Sequence, residues 1–169
     1  MTQKEFVTLT HPFRDKIFRL AKRLLVSTEE AQDAAQEILL KLWDKKNGLA
    51  AYRSVEALAM TMTKNYCLDQ LKSKRATNLS LVHSNYNDRE AGLQQRLEDQ
   101  DSLRWVEKCM NELPETQKLI LQLREIEGYE FEEIGQILEM NETAVRVALS
   151  RARKTIREKM IQTHHYGTQ

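Results

Sequence analysis

Apolar side chains recur at helical spacing along most of the chain, and the points where this spacing fails predict the ends of helices. The first such point is His11-Pro12, where a short N-terminal helix is predicted to stop. Thr10 is predicted to cap a second helix that has Pro12 in its first turn and continues to Leu24.

A clearer start signal lies at Ser27-Thr28-Glu29-Glu30, which has the form of a capping box. In this motif a serine hydroxyl and a glutamate carboxylate satisfy amides that the helix leaves unpaired. The helix that follows is predicted to end at Asn47-Gly48. One of its faces carries a core stripe made of Ala31, Ala34, Ala35, Ile38 and Leu42.

Leu39, Leu40 and Trp43 fall outside that stripe, on the same side of the helix as Asp33 and Gln36. Two interpretations are open. A further helix of the same domain could cover these side chains, or their mixed apolar and polar surface could dock a partner protein.

A third helix is predicted from Ser54 to the basic run Lys72-Ser73-Lys74-Arg75. From residue 76 to about residue 101, turn and loop formers replace the helical spacing, which is typical of a linker. The sequence therefore predicts an all-α fold of two small helical domains joined by a flexible linker. The predicted boundaries are a first domain at 1–75, a linker at 76–101, a second domain at 102–163 and a tail at 164–169.

In the second domain, helices are predicted to start at Asp101 and at Pro114, and the latter ends at Gly128 as its C-cap. A short helix follows, then a turn at 139–141 and a longer basic helix that reaches about Met160. A short helix joined by a tight turn to a longer basic one is the layout of a DNA-binding helix-turn-helix.

The last helix divides into two sides. Its predicted packing stripe consists of Val145, Leu149, Ala152 and Ile156, and the opposite side carries Arg146, Ser150, Arg153, Lys154 and Arg157. Guanidinium groups on such a face match guanine edges in the major groove, and cations match phosphates. The alternative is an ordinary amphipathic helix with a solvated basic face.

Composition narrows the classes of function. Charged residues make up 30% of the 169 positions and aromatics 7%, with only five glycines and two prolines, which favours helices over an all-β fold. No stretch resembles a membrane span or a signal peptide, so a cytoplasmic protein is expected. Cys67 and Cys109 are far apart in sequence and fit reduced thiols.

The sequence contains no glycine-rich phosphate loop, no metal-ligand spacing and no arrangement of nucleophile and base. We therefore expect no cofactor, no bound metal and no enzymatic activity.

Two groups of motifs, one in each half of the chain and in the order that the family has them, resemble those of sigma-70-family initiation factors of RNA polymerase. The resemblance is to the extracytoplasmic-function (ECF) type, which keeps only promoter-reading domains two and four. In the N-terminal half it rests on EAQDAAQE at 30–37, Leu42-Trp43 and the segment from Lys64 to Arg75. In the C-terminal half it rests on LPE at 113–115, LREIEGY at 123–129, FEEIG at 131–135, AVR at 144–146 and SRAR at 150–153.

The resemblance implies three sets of site residues. Contact with the core polymerase is expected from Asp33, Gln36, Glu37, Leu40 and Trp43. The single-stranded -10 element, including a flipped base captured by the loop 47–53, is expected to meet Asn47, Tyr52, Arg53, Lys64, Asn65, Lys72, Lys74 and Arg75. The -35 duplex is expected to meet Arg146, Val147, Ser150 and Arg151 through its bases, and Arg153 and Lys154 through its phosphates.

For Tyr52, stacking on DNA and packing inside the protein are both open. The partners that the resemblance implies are core RNA polymerase and promoter DNA, and in many family members an anti-sigma factor, without insertion of this chain into a membrane. Two other functions stay open on the residues alone: a stand-alone helix-turn-helix regulator that does not need polymerase, and a helical adaptor with no DNA partner.

The net charge of +1 hides an uneven distribution. Residues 1–75 hold 14 basic and 9 acidic side chains, residues 76–140 hold 6 and 14, and residues 141–169 hold 6 and 2. The two basic ends coincide with the two segments expected to read the promoter. Such a weak overall charge is expected to limit DNA binding by the free protein.

Overall fold

The structure is a computed structural model that describes residues 1–78 and 101–167. Over these two ranges the chain consists of helices and the turns between them, which confirms the predicted all-α class. The helices are α1 (Gln3–Leu25), α2 (Thr28–Asp44), a 3-10 helix (Lys46–Ala51), α3 (Val55–Asn78), α4 (Asp101–Asn111), α5 (Glu115–Leu121), a π-helical turn (Gln122–Ile126), α6 (Phe131–Leu138) and α7 (Glu142–Gly167).

The predicted break at His11-Pro12 is wrong, because α1 is one continuous helix with Pro12 inside it. Thr10 is buried and caps nothing. Its hydroxyl donates a 3.0 Å hydrogen bond to the carbonyl oxygen of Phe6, one turn earlier. Phe6 and Phe13 are buried on the inner side of α1, which packs against α2 and α3. This packing outweighs the local cost of a proline in the helix.

Of the two hydrogen bonds that make up the predicted capping box at the start of α2, one is present. The hydroxyl of Ser27 accepts a 3.3 Å hydrogen bond from the amide of Glu30. The carboxylate of Glu30 pairs instead with the ammonium group of Lys74 on α3. The glutamate therefore ties α2 to α3.

The ends of α2 and α3 differ slightly from prediction, whereas α3 starts at Ser54 as predicted. α2 stops before Asn47-Gly48, and the 3-10 helix that contains these residues buries Leu49 in the core. Ser54 caps α3, since its hydroxyl accepts a 3.1 Å hydrogen bond from the amide of Ala57. α3 then continues three residues past Arg75 into the predicted linker. Most of that linker, and the tail beyond 167, lies outside the described residues.

The turn between α6 and α7 is tightly built. Glu139 ends α6 in the left-handed conformation, with φ of 57°, and the amide of Met140 donates a 2.9 Å hydrogen bond to the carbonyl oxygen of Gly135. A Cβ atom on Gly135 would lie 2.6 Å from the carbonyl oxygen of Met140, so this position has no room for a side chain. Asn141 then caps α7 by accepting a 2.8 Å hydrogen bond from the amide of Ala144.

The N-terminal half (residues 1–78) and the C-terminal half (residues 101–167) pack against each other. α1 contacts α5, and α3 contacts α6. Arg19 holds Glu127 with two hydrogen bonds of 2.7 and 2.8 Å, and this ion pair raises the pKa of the arginine. The hydroxyl of Tyr129 donates a 2.7 Å hydrogen bond to Glu56, which also pairs with Lys16 at 2.8 Å. Ion pairs and hydrogen bonds therefore join the halves, beside a hydrophobic core that includes buried residues of both.

Candidate nucleic-acid interface

The last helix, α7, separates its packing side from its polar side as predicted. Val145, Leu149 and Ala152 are buried and Ile156 packs partly buried against the core. The polar side is solvent-exposed. We define the recognition face as the exposed residues Arg146, Val147, Ser150, Arg151, Arg153 and Lys154.

Several cations of the recognition face have carboxylate partners. Arg146 lies 3.8 Å from Glu142 one turn earlier, and the Nε of Arg153 donates a 2.6 Å hydrogen bond to Glu125. Both pairs are exposed, and exposed ion pairs contribute only about 0–1 kcal/mol. These cations can therefore exchange a carboxylate for a DNA phosphate or a base edge at little cost.

A concave surface of about 490 Å³ lies beside the recognition face, between α6 and α7. Phe131, the first residue of α6, forms its apolar wall. The guanidinium carbons of Arg146 and Arg124 each lie 4.4 Å from the centre of the Phe131 ring. The remaining lining residues are Leu149, Ser150, Arg153, Lys154 and Arg157.

Sequence reasoning missed Phe131 as a member of this surface and Arg124 as a residue that packs on the Phe131 ring. Arg124 lies in the π-helical turn, and its guanidinium donates a 2.9 Å hydrogen bond to the carbonyl oxygen of Tyr129. Helical spacing alone does not predict a π-helical turn, which rotates the following side chains relative to an α-helix. Such turns are frequent at functional sites, but only the structure reveals this one.

In the N-terminal half, seven of the eight residues expected to meet the -10 element are exposed. The 3-10 helix and its flanks surround a concave surface of about 360 Å³, which is within the size range of ligand pockets. Tyr52 lines it and is 45% exposed, so its ring is accessible for stacking. The exposed residues of the expected set are Asn47, Tyr52, Arg53, Asn65, Lys72, Lys74 and Arg75.

Lys64 is the exception. It is 8% exposed, and its Nζ donates a 2.9 Å hydrogen bond to the carbonyl oxygen of Ile137 in α6. Its expected contact with DNA stays a prediction, and in this arrangement of the two halves the lysine is covered by the helix-turn-helix.

The residues expected to contact polymerase line one side of α2. Asp33, Gln36 and Leu40 are exposed, with Leu40 at 59%, whereas Glu37 and Trp43 are half-buried. The ring of Phe6 meets the ring of Trp43 edge to face at 5.1 Å, and the ammonium group of Lys46 lies 4.2 Å from the centre of the indole. Trp43 therefore packs within the domain, as the first interpretation expected, whereas Leu40 is left uncovered and docking of a partner there stays a prediction.

Burial controls the chemistry of the cysteines. Cys67 and Cys109 are both free thiols and both buried. Desolvation raises the pKa of Cys67 to about 12, so its thiol is protonated and unreactive at neutral pH. Among the described residues, no group of histidine, cysteine, aspartate and glutamate side chains is arranged to hold a metal ion. No helix within 1–78 or 101–167 has the length and apolarity needed to cross a bilayer.

Comparison with known proteins agrees with this geometry. Residues 9–77 match the family model for sigma-70 region 2, and residues 103–156 match the model for sigma-70 region 4. The chain is 25% identical to the RNA polymerase sigma-H factor of Pseudomonas aeruginosa over 164 residues, covering 91% of this chain and 85% of that protein. It is also 25% identical to the ECF RNA polymerase sigma-E factor of Escherichia coli K12 over 169 residues, covering 94% and 87%.

Two solved structures share the fold. The sigma factor RpoE of Bartonella quintana, crystallised with the anti-sigma factor NepR, superposes with a TM-score of 0.75 at 19% identity, covering 93% of this chain and 97% of RpoE. CnrH in complex with the cytosolic domain of CnrY superposes with a TM-score of 0.70 at 17% identity, covering 95% of this chain and 90% of CnrH. With region 2 and region 4 models matching its two halves in order, the chain belongs to the sigma-70 family of RNA polymerase sigma factors, in the ECF subfamily.

Proposed function

We propose that this chain binds core RNA polymerase and directs it to promoters by contacting the -10 and -35 elements with its two halves. The observation that carries the proposal is the presence of two separate exposed basic surfaces, one on each half. In the acidic segment between them, some carboxylates form ion pairs within the protein, such as Glu127 with Arg19. In this role the chain supplies specificity, leaves RNA synthesis to the core enzyme and acts in the cytoplasm.

At the -35 duplex, the recognition face of α7 enters the major groove. Arg146, Val147, Ser150 and Arg151 occupy the part of the helix closest to its N-terminus, which is the part that reaches base edges in helix-turn-helix proteins. Arg153 and Lys154 lie further along the helix and contact the phosphates.

At the -10 element, the concave surface beside the 3-10 helix receives an unstacked base. Unstacking a base costs a few kcal/mol, which stacking on Tyr52 and phosphate contacts from α3 offset. The phosphate contacts come from the exposed basic end of α3, and Arg53, Asn47 and Asn65 lie on the same half. Lys64 joins them only when α6 moves away from α3, because α6 covers it in this structure.

The exposed part of α2 is the docking surface for the core polymerase. Leu40 is a large apolar side chain left uncovered by the domain's own packing, and Asp33, Gln36 and Glu37 surround it with polar groups. An apolar centre with a polar rim is typical of protein interfaces. An anti-sigma factor is a further proposed partner, supported by the fold shared with RpoE, which was solved in complex with one.

Run-off transcription with core polymerase on genomic fragments tests the proposal. We expect transcripts from discrete promoters only when both the chain and core enzyme are present. Arg151→Ala should cost about 1–3 kcal/mol at one base position if its contact is a bidentate base contact. Arg14→Ala, which removes an exposed arginine of α1, is the matched control and should leave promoter choice unchanged.

A second pair of measurements separates the polymerase surface from the DNA surface. Glu37→Lys combined with Trp43→Ala should weaken binding to core polymerase and leave binding of the full chain to a -35 duplex unchanged. Specific operator binding and regulation without polymerase would instead favour a stand-alone regulator, and an Arg146→Ala, Arg151→Ala chain with full activity would favour an adaptor without a DNA partner.

A further inference from the structure

We propose that Phe131 is a positioning residue for DNA recognition: its ring holds the guanidinium group of Arg146 in the orientation that reads a base. This inference rests on the proposed function, because it assumes that the recognition face contacts the -35 duplex. Phe131 itself belongs to α6, the first helix of the helix-turn-helix, and not to the recognition helix.

The contact between the two side chains has the geometry of a cation–π interaction. The guanidinium carbon of Arg146 lies 4.4 Å from the centre of the Phe131 ring, well inside the roughly 6 Å range of this interaction. The side chain of Arg146 is 61% exposed, so nothing else encloses it, and its other partner, Glu142, is 3.8 Å away. A long exposed side chain that is free to rotate loses much rotamer entropy when it binds. A ring that already restrains it reduces this loss.

A second arginine, from the π-helical turn, also packs on the ring. The guanidinium group of Arg124 also lies 4.4 Å from the ring centre, and Arg124 is anchored by its 2.9 Å hydrogen bond to the carbonyl oxygen of Tyr129. The side chain of Arg124 is 29% exposed, less than half the value for Arg146. Arg124 therefore belongs to the frame that holds the ring, and Arg146 is the partner able to reach DNA.

From the position of the ring, we expect the contact between Phe131 and Arg146 to affect recognition of one base and not the overall affinity for DNA. Phe131 carries no charge and forms the apolar wall of the concave surface whose cations include Arg153 and Lys154. Removing the ring leaves these phosphate contacts in place but lets Arg146 sample several rotamers. Discrimination between bases at the position read by Arg146 should fall. The sequence-independent part of the affinity for DNA should persist.

A transcription assay on a promoter library tests this inference. The full chain is assembled with core polymerase, and barcoded promoters are randomised across the upstream element. Wild type and Arg146→Ala together identify the base position that Arg146 specifies. Phe131→Leu, which keeps an apolar side chain of similar size without the aromatic ring, should then reduce discrimination at that position about threefold to tenfold. Phe131→Tyr keeps the ring and should restore it.

Two controls separate positioning from a loss of structure. Leu138→Ala shortens a half-buried side chain at the opposite end of α6 and should lower activity, if at all, equally for all sequences. In an Arg146→Ala background, Phe131→Leu should have no further effect on base preference. The inference would be overturned if Phe131→Leu lowered transcription equally for all promoter sequences. It would also be overturned if Phe131→Leu reduced base preference as much in the Arg146→Ala background as in the wild-type background.

The proposed function fails separately from the inference. Absence of promoter-specific transcription by the wild-type chain with core polymerase would contradict the proposed function. Specific transcription in which Arg146→Ala changes no base preference would leave that function standing and overturn the role of Phe131, since there would be no base contact to position.

Discussion

Lys64 and Ile137 connect the two halves of the chain through one hydrogen bond, in which the Nζ of the lysine donates to the carbonyl oxygen of the isoleucine at 2.9 Å. The same nitrogen cannot bind a phosphate while α6 covers it. Contact between Lys64 and promoter DNA therefore requires α6 to separate from α3.

Replacing Lys64 by methionine removes the charged donor and keeps the length of the side chain. We expect the free energy of unfolding to fall by about 1–3 kcal/mol, because the carbonyl oxygen of Ile137 loses a charged hydrogen-bond donor. Urea unfolding of the full chain measures this. Lys72→Met, an exposed change on the same helix, should leave stability unchanged. Equal stability of both variants would show that the buried bond contributes nothing.

The ion pair between Arg19 and Glu127 offers a charge-swap test of the contact between the halves. Arg19→Glu places two carboxylates together, one of them buried, and we expect a larger radius of gyration by small-angle scattering and a free energy of unfolding lower by about 1–3 kcal/mol. The double variant Arg19→Glu, Glu127→Arg should recover both values. Arg14→Glu makes the same change of charge at another exposed position of α1 and serves as the control. An expansion of the Arg14 variant equal to that of the Arg19 variant would point to net charge as the cause.

The sequence was sufficient for the helical class, for the two-sided character of α7 and for the turn before it, because each depends on local spacing and on nearby capping residues. It was not sufficient where contacts distant in sequence decide the structure. Pro12 is tolerated because α2 and α3 cover α1, and Lys64 is buried because α6 lies across it. Arg124 packs on Phe131 from a π-helical turn that local spacing does not specify.

Gly135 has no side chain, so the carbonyl oxygen of Met140, in the turn that leads into α7, can lie close to its backbone. Gly135→Ala would bring its Cβ to 2.6 Å from the carbonyl oxygen of Met140, so the backbone must shift. We expect a loss of about 1–3 kcal/mol in urea unfolding, together with weaker -35 binding as α7 is displaced. Gly48→Ala is the matched change, since a Cβ there meets no atom within 4 Å, and it should be close to neutral. A neutral Gly135→Ala would show that the turn can relax.

Glu139 occupies a left-handed conformation that favours glycine. Glu139→Gly should therefore raise the free energy of unfolding, by about 0.5–1 kcal/mol after the greater entropy of an unfolded glycine is subtracted. Glu139→Ala keeps the Cβ atom and should not reproduce this gain. If alanine and glycine stabilise equally, removal of the glutamate charge, and not relief of the backbone, would be responsible.

Because the thiol of Cys67 is buried, we expect the free energy of unfolding to fall at high pH. Its pKa is raised from about 9 to about 12 on folding, so the unfolded chain releases a proton that the folded chain keeps. Stability should thus be fully present below pH 9 and decline up to pH 12, by at most about 1.4 kcal/mol per pH unit for this group.

Unfolding by urea between pH 8 and pH 11 measures this slope. Cys67→Ala should unfold more easily at pH 8 but lose less stability over the same interval. Tyr129 contributes a decline of the same sign, because burial and its bond to Glu56 raise its pKa as well. An identical slope for wild type and Cys67→Ala would assign the whole alkaline response to other groups.

The two tryptophans of the chain, Trp43 and Trp105, lie one in each half. Trp43 packs against Phe6 beside the surface proposed to dock polymerase, so its fluorescence should report on α1, α2 and the arrival of a partner there. Trp105 lies on α4, in the half that carries the helix-turn-helix. Replacing either one by phenylalanine leaves a single tryptophan, so that unfolding and partner binding can be followed in each half separately through tryptophan fluorescence, without an attached dye.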